Sequence, residues 1–125
     1  MLTKTTHILV VDDNQDILTA LTFMLSRNDY KVSAKNRFDN FEQETELLFP
    51  DLILLDKSLG WADGCDLCRI IKANERMSHI PVIMFSAYYK KKEECFHAGA
   101  DEFIEKPFEM SVLLSTLRVV QATRQ

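Results

Sequence analysis

Five short apolar blocks, spaced along the chain by longer amphipathic stretches, constrain the fold more than any other feature. They are HILVV at 7–11, YKVSA at 30–34, LILL at 52–55, PVIMF at 81–85 and EFI at 102–104. Blocks of this length are too short for buried helices and read as strands. The stretches between them place apolar residues at helical spacing: Ile17, Leu21, Met24 and Leu25, then Leu67, Ile70 and Ile71, then Met110, Leu113, Leu114, Leu117 and Val120. Near-continuous apolar strands separated by single helices indicate a parallel sheet covered on both faces. The expected class is therefore α/β, a doubly wound, five-stranded parallel sheet whose right-handed crossovers fix most of the topology. With 125 residues, three glycines, three prolines and no linker-like tract, the chain reads as one domain over 1–125 with its core at about 7–118.

Helix start signals agree with this division. Asp39 followed by Glu42, and Asp63 followed by Asp66, suggest an acidic cap and a second carboxylate in the first turn. Gly99 suits the end of a helix over 90–98. At 39–48 the apolar stripe is thin, carried by Phe41, Leu47 and Leu48.

Composition narrows the function classes. Hydrophobic residues at 46% and charged residues at 27% are ordinary soluble usage. No apolar run approaches the roughly 18 residues of a membrane span, and MLTKTTH lacks the apolar core of a secretory signal, so a cytoplasmic protein without membrane association is expected. A net charge of -4 argues against direct nucleic-acid binding, which needs a basic surface. Cys65, Cys68 and Cys95 are expected as free thiols. Cys65 and Cys68 form a CxxC at helical spacing with no second ligand pair, which speaks against a zinc site.

The polar residues at the strand ends carry the chemistry. Asp12 and Asp13 end the first strand, Asp56 the third and Ser86 the fourth, while Lys106 comes just after the fifth. In open α/β sheets ligands bind outside the carboxyl ends of the strands, so these residues should converge in one crevice. Taken singly, each has a plainer reading: an aspartate after a strand is often a turn former or cap, and Lys106 beside Pro107 can be a solvated turn lysine. Together they place three carboxylates near one ammonium, a surplus of negative charge that calls for a cation. Mg²⁺ fits a site of carboxylates and phosphate oxygens, and a carboxylate beside it can act as a nucleophile toward a phosphoryl group.

Four ordered segments, VVDDNQD at 10–16, DLILLDKSLGWADG at 51–64, VIMFSA at 82–87 and GADEFIEKPF at 99–108, make the chain resemble a response-regulator receiver domain of two-component signalling, chemotaxis-regulator-like, from about His7 to Arg118. The resemblance implies a flavodoxin-like (βα)5 fold with strand order 2-1-3-4-5. It implies Asp56 as phosphoacceptor, with Asp12, Asp13, Asp56 and the backbone carbonyl of Ser58 holding Mg²⁺. Ser86, the Ala87 backbone and Lys106 would bind phosphoryl oxygens, and the Lys106–Pro107 bond would be cis. Ser86 and Phe103 would form the switch, the ring rotating inward as the hydroxyl turns to the phosphoryl group. The implied donor is a histidine kinase or phosphotransfer protein, and the output partner, not identifiable from sequence, would bind the face of the fourth helix, fifth strand and fifth helix, to a monomer or a phosphorylation-dependent dimer. No catalysis is implied beyond self-phosphorylation from a donor and self-dephosphorylation.

Gly60 stands where the family usually has proline, implying a looser loop, and bulky Tyr88 lies at a position that tunes hydrolysis in the family. Trp61 reads as a cover over the mouth of the site or a partner-docking group. Lys90–Lys92 with Glu93 and Glu94 reads most simply as a solvated helix face with intrahelical pairs, the alternative being a docking role shared with Tyr88 and Tyr89. A Mg²⁺-dependent phosphohydrolase working through an aspartyl phosphate would want a second acid/base carboxylate two residues after its nucleophile, but Asp12 is followed by Asp13 and Asn14. A nucleotide or flavin binder would need a glycine-rich loop, and neither GxGxxG nor GxxxxGK[ST] occurs. The alternative of an adaptor that uses the fold only to bind proteins and is never phosphorylated has the intact acidic cluster against it. The chain is expected to act by protein contact, as a stand-alone regulator or as a piece of a hybrid kinase or longer regulator.

Overall fold

The computed structural model describes residues 4–123. Strands β1 (His7–Val11), β2 (Lys31–Lys35), β3 (Leu52–Asp56), β4 (Val82–Ser86) and β5 (Glu102–Glu105) alternate with helices α1 (Gln15–Ser26), α2 (Phe41–Leu48), α3 (Gly64–Ala73), α4 (Lys92–His97) and α5 (Met110–Ala122). The strands form one parallel sheet in the order β2-β1-β3-β4-β5. This is the doubly wound flavodoxin-like arrangement expected from the sequence. The leader reading of MLTKTTH rests partly on residues 1–3, which lie outside the described residues. Among those described, no helix is long and apolar enough to cross a membrane.

The pleat divides the core in two. Alternate residues of the central strands, Ile8, Val10, Leu52, Leu54, Ile83 and Phe85, pack under α1 and α5 through Leu18, Leu21, Leu25, Leu113 and Leu117. Their neighbours Leu9, Val11, Ile53, Leu55, Val82 and Met84 pack under α2, α3 and α4 through Phe41, Cys65, Cys68, Ile71 and Cys95. Strands β1, β3 and β4 are buried at every position. Each such Leu, Ile or Val withdrawn from water contributes roughly 1.5–3 kcal/mol.

Several expected boundaries move. The edge strand β2 runs one residue later than YKVSA, because a strand open on one side has no uninterrupted apolar run to mark its ends. Asn40, not Asp39, caps α2, its side chain accepting from the Gln43 amide, while the Glu44 carboxylate reaches back to the amides of Asp39 and Asn40. Leu47 does not join the apolar stripe of α2: it is 80% exposed, and Thr45 is buried with Phe41 instead. The helix expected over 90–98 begins as a 3-10 turn at Tyr89–Lys91 and becomes α-helical only over Lys92–His97. Gly99 does follow its end, with φ of 108°. Asp63 caps α3 as expected, accepting from the Cys65 amide at 2.8 Å.

Candidate functional site

The carboxyl ends of β1, β3, β4 and β5 meet at one edge of the sheet, and each delivers a polar residue there. Asp12 leaves β1 fully buried, and the amide of Asn14 donates to its Oδ1 at 2.8 Å. Asn14 in turn caps α1, its Oδ1 accepting from the amides of Asp16 and Ile17. The succession Asp12-Asp13-Asn14 therefore turns the chain from strand to helix while aiming one carboxylate inward. Asp13 stays exposed, and the space beside Gly60 is what its carboxylate occupies: a Cβ on Gly60 would meet Asp13 Oδ2 at 3.4 Å. Gly60 adopts φ of 75°, a backbone conformation glycine takes without strain and proline cannot reach.

Asp56 ends β3 almost fully buried, with the Ser58 amide donating to Oδ1 at 3.1 Å. The Lys106 ammonium donates to Asp12 Oδ2 at 2.8 Å and to Asp56 Oδ2 at 3.2 Å. It also lies 4.8 Å from the centre of the Phe85 ring, which closes its apolar side. The Lys106–Pro107 peptide bond is cis, and the Lys106 amide donates to the Ser86 carbonyl at 2.8 Å, extending the β4–β5 pairing to the lysine. Burial pushes the Asp56 carboxyl above the ordinary range, and the Asp12 charge adds to that. The Ser58 amide and Lys106 oppose the shift without cancelling it.

Carboxylate oxygens of Asp12, Asp13 and Asp56 all lie within 4.8 Å of one another. Three carboxylates against one ammonium leave the cluster short of positive charge. A set of hard oxygen donors, one of them on an exposed residue, fits a divalent cation of the Mg²⁺ type that keeps several waters.

Of the remaining residues singled out from sequence, Ser58 is drawn against Asp56 through its amide. Ser86 is buried at the end of β4, its hydroxyl accepting from the Tyr88 amide at 3.0 Å. Ala87 is exposed and, with Lys106, lines an apolar groove completed by Ile17, Leu21, Met24, Phe108 and Met110. Phe103 is not part of the acidic cluster. It pairs with Met84 in the ladder and packs, half-buried, on the α3–α4 side of the sheet. Tyr88 is 65% exposed. Trp61 is tied down at the β2–α2 connection, its indole N–H donating to the Asn36 carbonyl at 2.8 Å with Phe38 beside the ring.

One residue escaped the sequence reading. Lys57, next to Asp56, is buried, and its ammonium lies 2.7 Å from Asp63 and 3.5 Å from Glu94. A second charged residue directly after the strand-end Asp56 was the available signal, but its partners come from a loop and a separate helix. Glu94 consequently faces Lys57 as well as Lys91 at 3.7 Å, so the basic run with Glu93 and Glu94 is not wholly a solvated face.

The model of the response regulator receiver domain family matches residues 8–118. The chain belongs to that family. This receiver domain is 33% identical over 115 residues to the transcriptional regulatory protein GltR of Pseudomonas aeruginosa, covering 90% of this chain and 48% of that protein. It is 35% identical over 121 residues to the transcriptional regulatory protein CseB of Streptomyces coelicolor, covering 92% of this chain and 49% of the relative. The receiver domain thus spans about half the length of the curated relatives it matches. Among solved structures, the BeF3-activated N-terminal receiver domain of Klebsiella pneumoniae RstA superposes with a TM-score of 0.82 at 28% identity, covering 91% of this chain and 97% of that one. Membership places the chain among the receiver domains of response regulators in two-component systems.

Proposed function

We propose that this receiver domain accepts a phosphoryl group on Asp56 from a phosphohistidine of a histidine kinase or phosphotransfer protein. The observation that carries the proposal is Lys106 held between Asp12 and Asp56, with Asp13 completing an oxygen cluster open to solvent on one side. An Asp56 carboxylate oxygen forms the new bond to phosphorus as the bond from phosphorus to the donor imidazole breaks. The electron pair stays on the imidazole nitrogen, which takes up a proton from solvent. Lys106 offsets the charge gathered on the phosphoryl oxygens, and the Ser86 hydroxyl and the Ala87 amide are the donors assigned to the same oxygens. Asp12, Asp13, Asp56 and the Ser58 carbonyl would hold Mg²⁺. Bound there, the ion supplies the positive charge the cluster lacks and screens the incoming group from the carboxylates.

The domain on this reading is a switch and not a turnover enzyme: its chemistry ends in its own phosphorylation and dephosphorylation. Phe103 and Ser86 are the switch pair, and the face of α4, β5 and α5 is the surface offered to the output partner. The relatives GltR and CseB are by name transcriptional regulatory proteins, which favours a transcriptional output reached through protein contact.

Incubation with acetyl phosphate and subsequent intact mass measurement test the reading. One phosphoryl group should be gained with Mg²⁺ present, and none after Mg²⁺ chelation or in Asp56→Asn. Absence of the adduct in the wild-type domain, together with no response to beryllofluoride, would overturn the proposal in favour of an adaptor that binds partners unphosphorylated.

A further inference from the structure

Asp56 and Lys57 are neighbours on opposite faces of the sheet. The β pleat sends Asp56 to the side of Leu52 and Leu54 and Lys57 to the side of Ile53 and Leu55, which α3 and α4 cover. There the Lys57 side chain is only 8% exposed. A buried ammonium is costly unless paired and hydrogen-bonded, and Lys57 has two carboxylates: Asp63 Oδ2 at 2.7 Å and Glu94 Oε1 at 3.5 Å. Burial pulls its pKa down, but the Asp63 hydrogen bond and the surrounding negative charge outweigh this and raise it above the ordinary lysine range.

The two carboxylates belong to different parts of the domain. Asp63 closes the β3–α3 loop: its other oxygen caps α3, and its backbone bridges to Ser58. Ser58 donates its amide to Asp56 Oδ1 at the opposite end of the same loop. Glu94 stands in the first turn of α4, one residue before Cys95, whose sulfur lies 3.9 Å from Cys65 on α3. A continuous series of polar contacts therefore leads from the Asp56 carboxylate through Ser58, Asp63 and Lys57 to Glu94, and its last step crosses from the loop to α4.

We infer that Lys57 is a positioning residue that couples the acidic site to α4, holding the Ser58-bearing loop through Asp63 and the first turn of α4 through Glu94. The inference rests on the Mg²⁺ and phosphoryl reading of the site and adds to it a route by which occupancy reaches a helix of the output face. Coupling of this kind is reciprocal: what loosens Glu94 from Lys57 also weakens cation binding at the other end.

Amide chemical shifts measured during Mg²⁺ titration test this without recourse to phosphorylation. In the wild-type domain, Mg²⁺ should shift the amides of Asn14 and Gly60 beside the carboxylates and also those of Glu94 and Cys95 in α4. In Lys57→Met the shifts at the site should persist while those in α4 are lost, and Mg²⁺ affinity should fall about fivefold, the low end of measured coupling between sites. Glu94→Gln, altered at a half-exposed position, should lose the same α4 response, and Lys57→Arg should retain it. Where Lys57→Met fails to fold, as its spectrum would reveal, Glu94→Gln decides. A wild-type titration with shifts at the site but none in α4 would overturn the coupling, as would α4 shifts that survive both Lys57→Met and Glu94→Gln. No shift at Asn14 or Gly60 in the wild-type domain would instead overturn the Mg²⁺ reading of the site itself.

Discussion

Gly64, the first residue of α3, lies against the backbone carbonyl group of Asp56. A Cβ there would come within 2.9 Å of the Asp56 carbonyl carbon and 2.9 Å of Lys57 Cα, and closer still to the carbonyl oxygen. The Gly64 amide donates to the Lys57 carbonyl at 2.7 Å, so the loop after β3 returns the chain to the point where it left the sheet. Only a residue without a side chain permits that closure. Gly64→Ala should therefore cost about 1–3 kcal/mol, as overpacking a buried contact does. Urea unfolding checks this, with the loss appearing as a lowered midpoint at unchanged slope.

The raised pKa of Asp56 makes a prediction about pH with a definite sign. Between its ordinary carboxylate pKa and the raised folded value, the native state binds more protons than the unfolded state. Stability then falls as pH rises through that window, because the slope of unfolding free energy with pH follows the difference in bound protons. Asp56 alone should thus favour the folded state in acid and oppose it at neutral pH. Asp56→Asn removes the buried charge and should stabilise the domain at pH 7 in the presence of a chelator, with the gain shrinking toward pH 4. Thermal midpoints of the two proteins across that range measure it, and an equal difference at every pH would be the contrary result.

Legibility tracked burial. Strands β1, β3 and β4 stood out because a strand covered on both faces must be apolar at successive positions, and their ends moved by no more than one residue. An aspartate beside an apolar block is a weaker signal. Asp51 and Asp101 resemble Asp12 and Asp56 in sequence, yet they lie at the amino ends of β3 and β5, where they receive the amides of His7 and Val82. Only their side of the apolar block separates these register clamps from the acidic cluster. Asp39 and Asn40 are both good caps, and adjacent candidates leave the start of α2 ambiguous by one residue. Lys57 was not legible, because what makes a buried lysine tolerable is the arrival of Asp63 and Glu94 in three dimensions.

The three cysteines should be inert in the folded domain. All are buried, and burial pushes the Cys68 thiol up to about 11 and the Cys95 thiol up to about 12, with Cys65 raised as well. Since the thiolate is the nucleophile, less than about one molecule in a hundred would present it at pH 8 for such values, even with access granted. Iodoacetamide should leave the native protein unmodified over the time in which it alkylates all three thiols in urea. Mass spectrometry counts the adducts, and rapid native modification of Cys65 or Cys95 would mark an opening of the α3–α4 packing.

Lys106 separates two buried carboxylates that would otherwise face each other with no positive charge between them. Lys106→Met keeps much of the apolar stem over the Phe85 ring but removes the ammonium, and breaking a buried ion pair from one side costs on the order of 3 kcal/mol. The deficit should be largest at neutral pH and should narrow in acid, where the raised carboxyl of Asp56 takes up a proton. A divalent cation bound among the carboxylates would substitute for part of the missing charge, so on the Mg²⁺ reading of the site Mg²⁺ should raise the unfolding midpoint of Lys106→Met more than that of the wild-type domain. Phosphoryl acceptance should not recover with it, because the cation restores charge balance among the carboxylates but not the donor that Lys106 places beside Asp56. Urea titrations with and without Mg²⁺, read beside intact mass after acetyl phosphate treatment, separate the two contributions. Equal Mg²⁺ stabilisation of both proteins would show that Lys106 and the cation do not share the same charge.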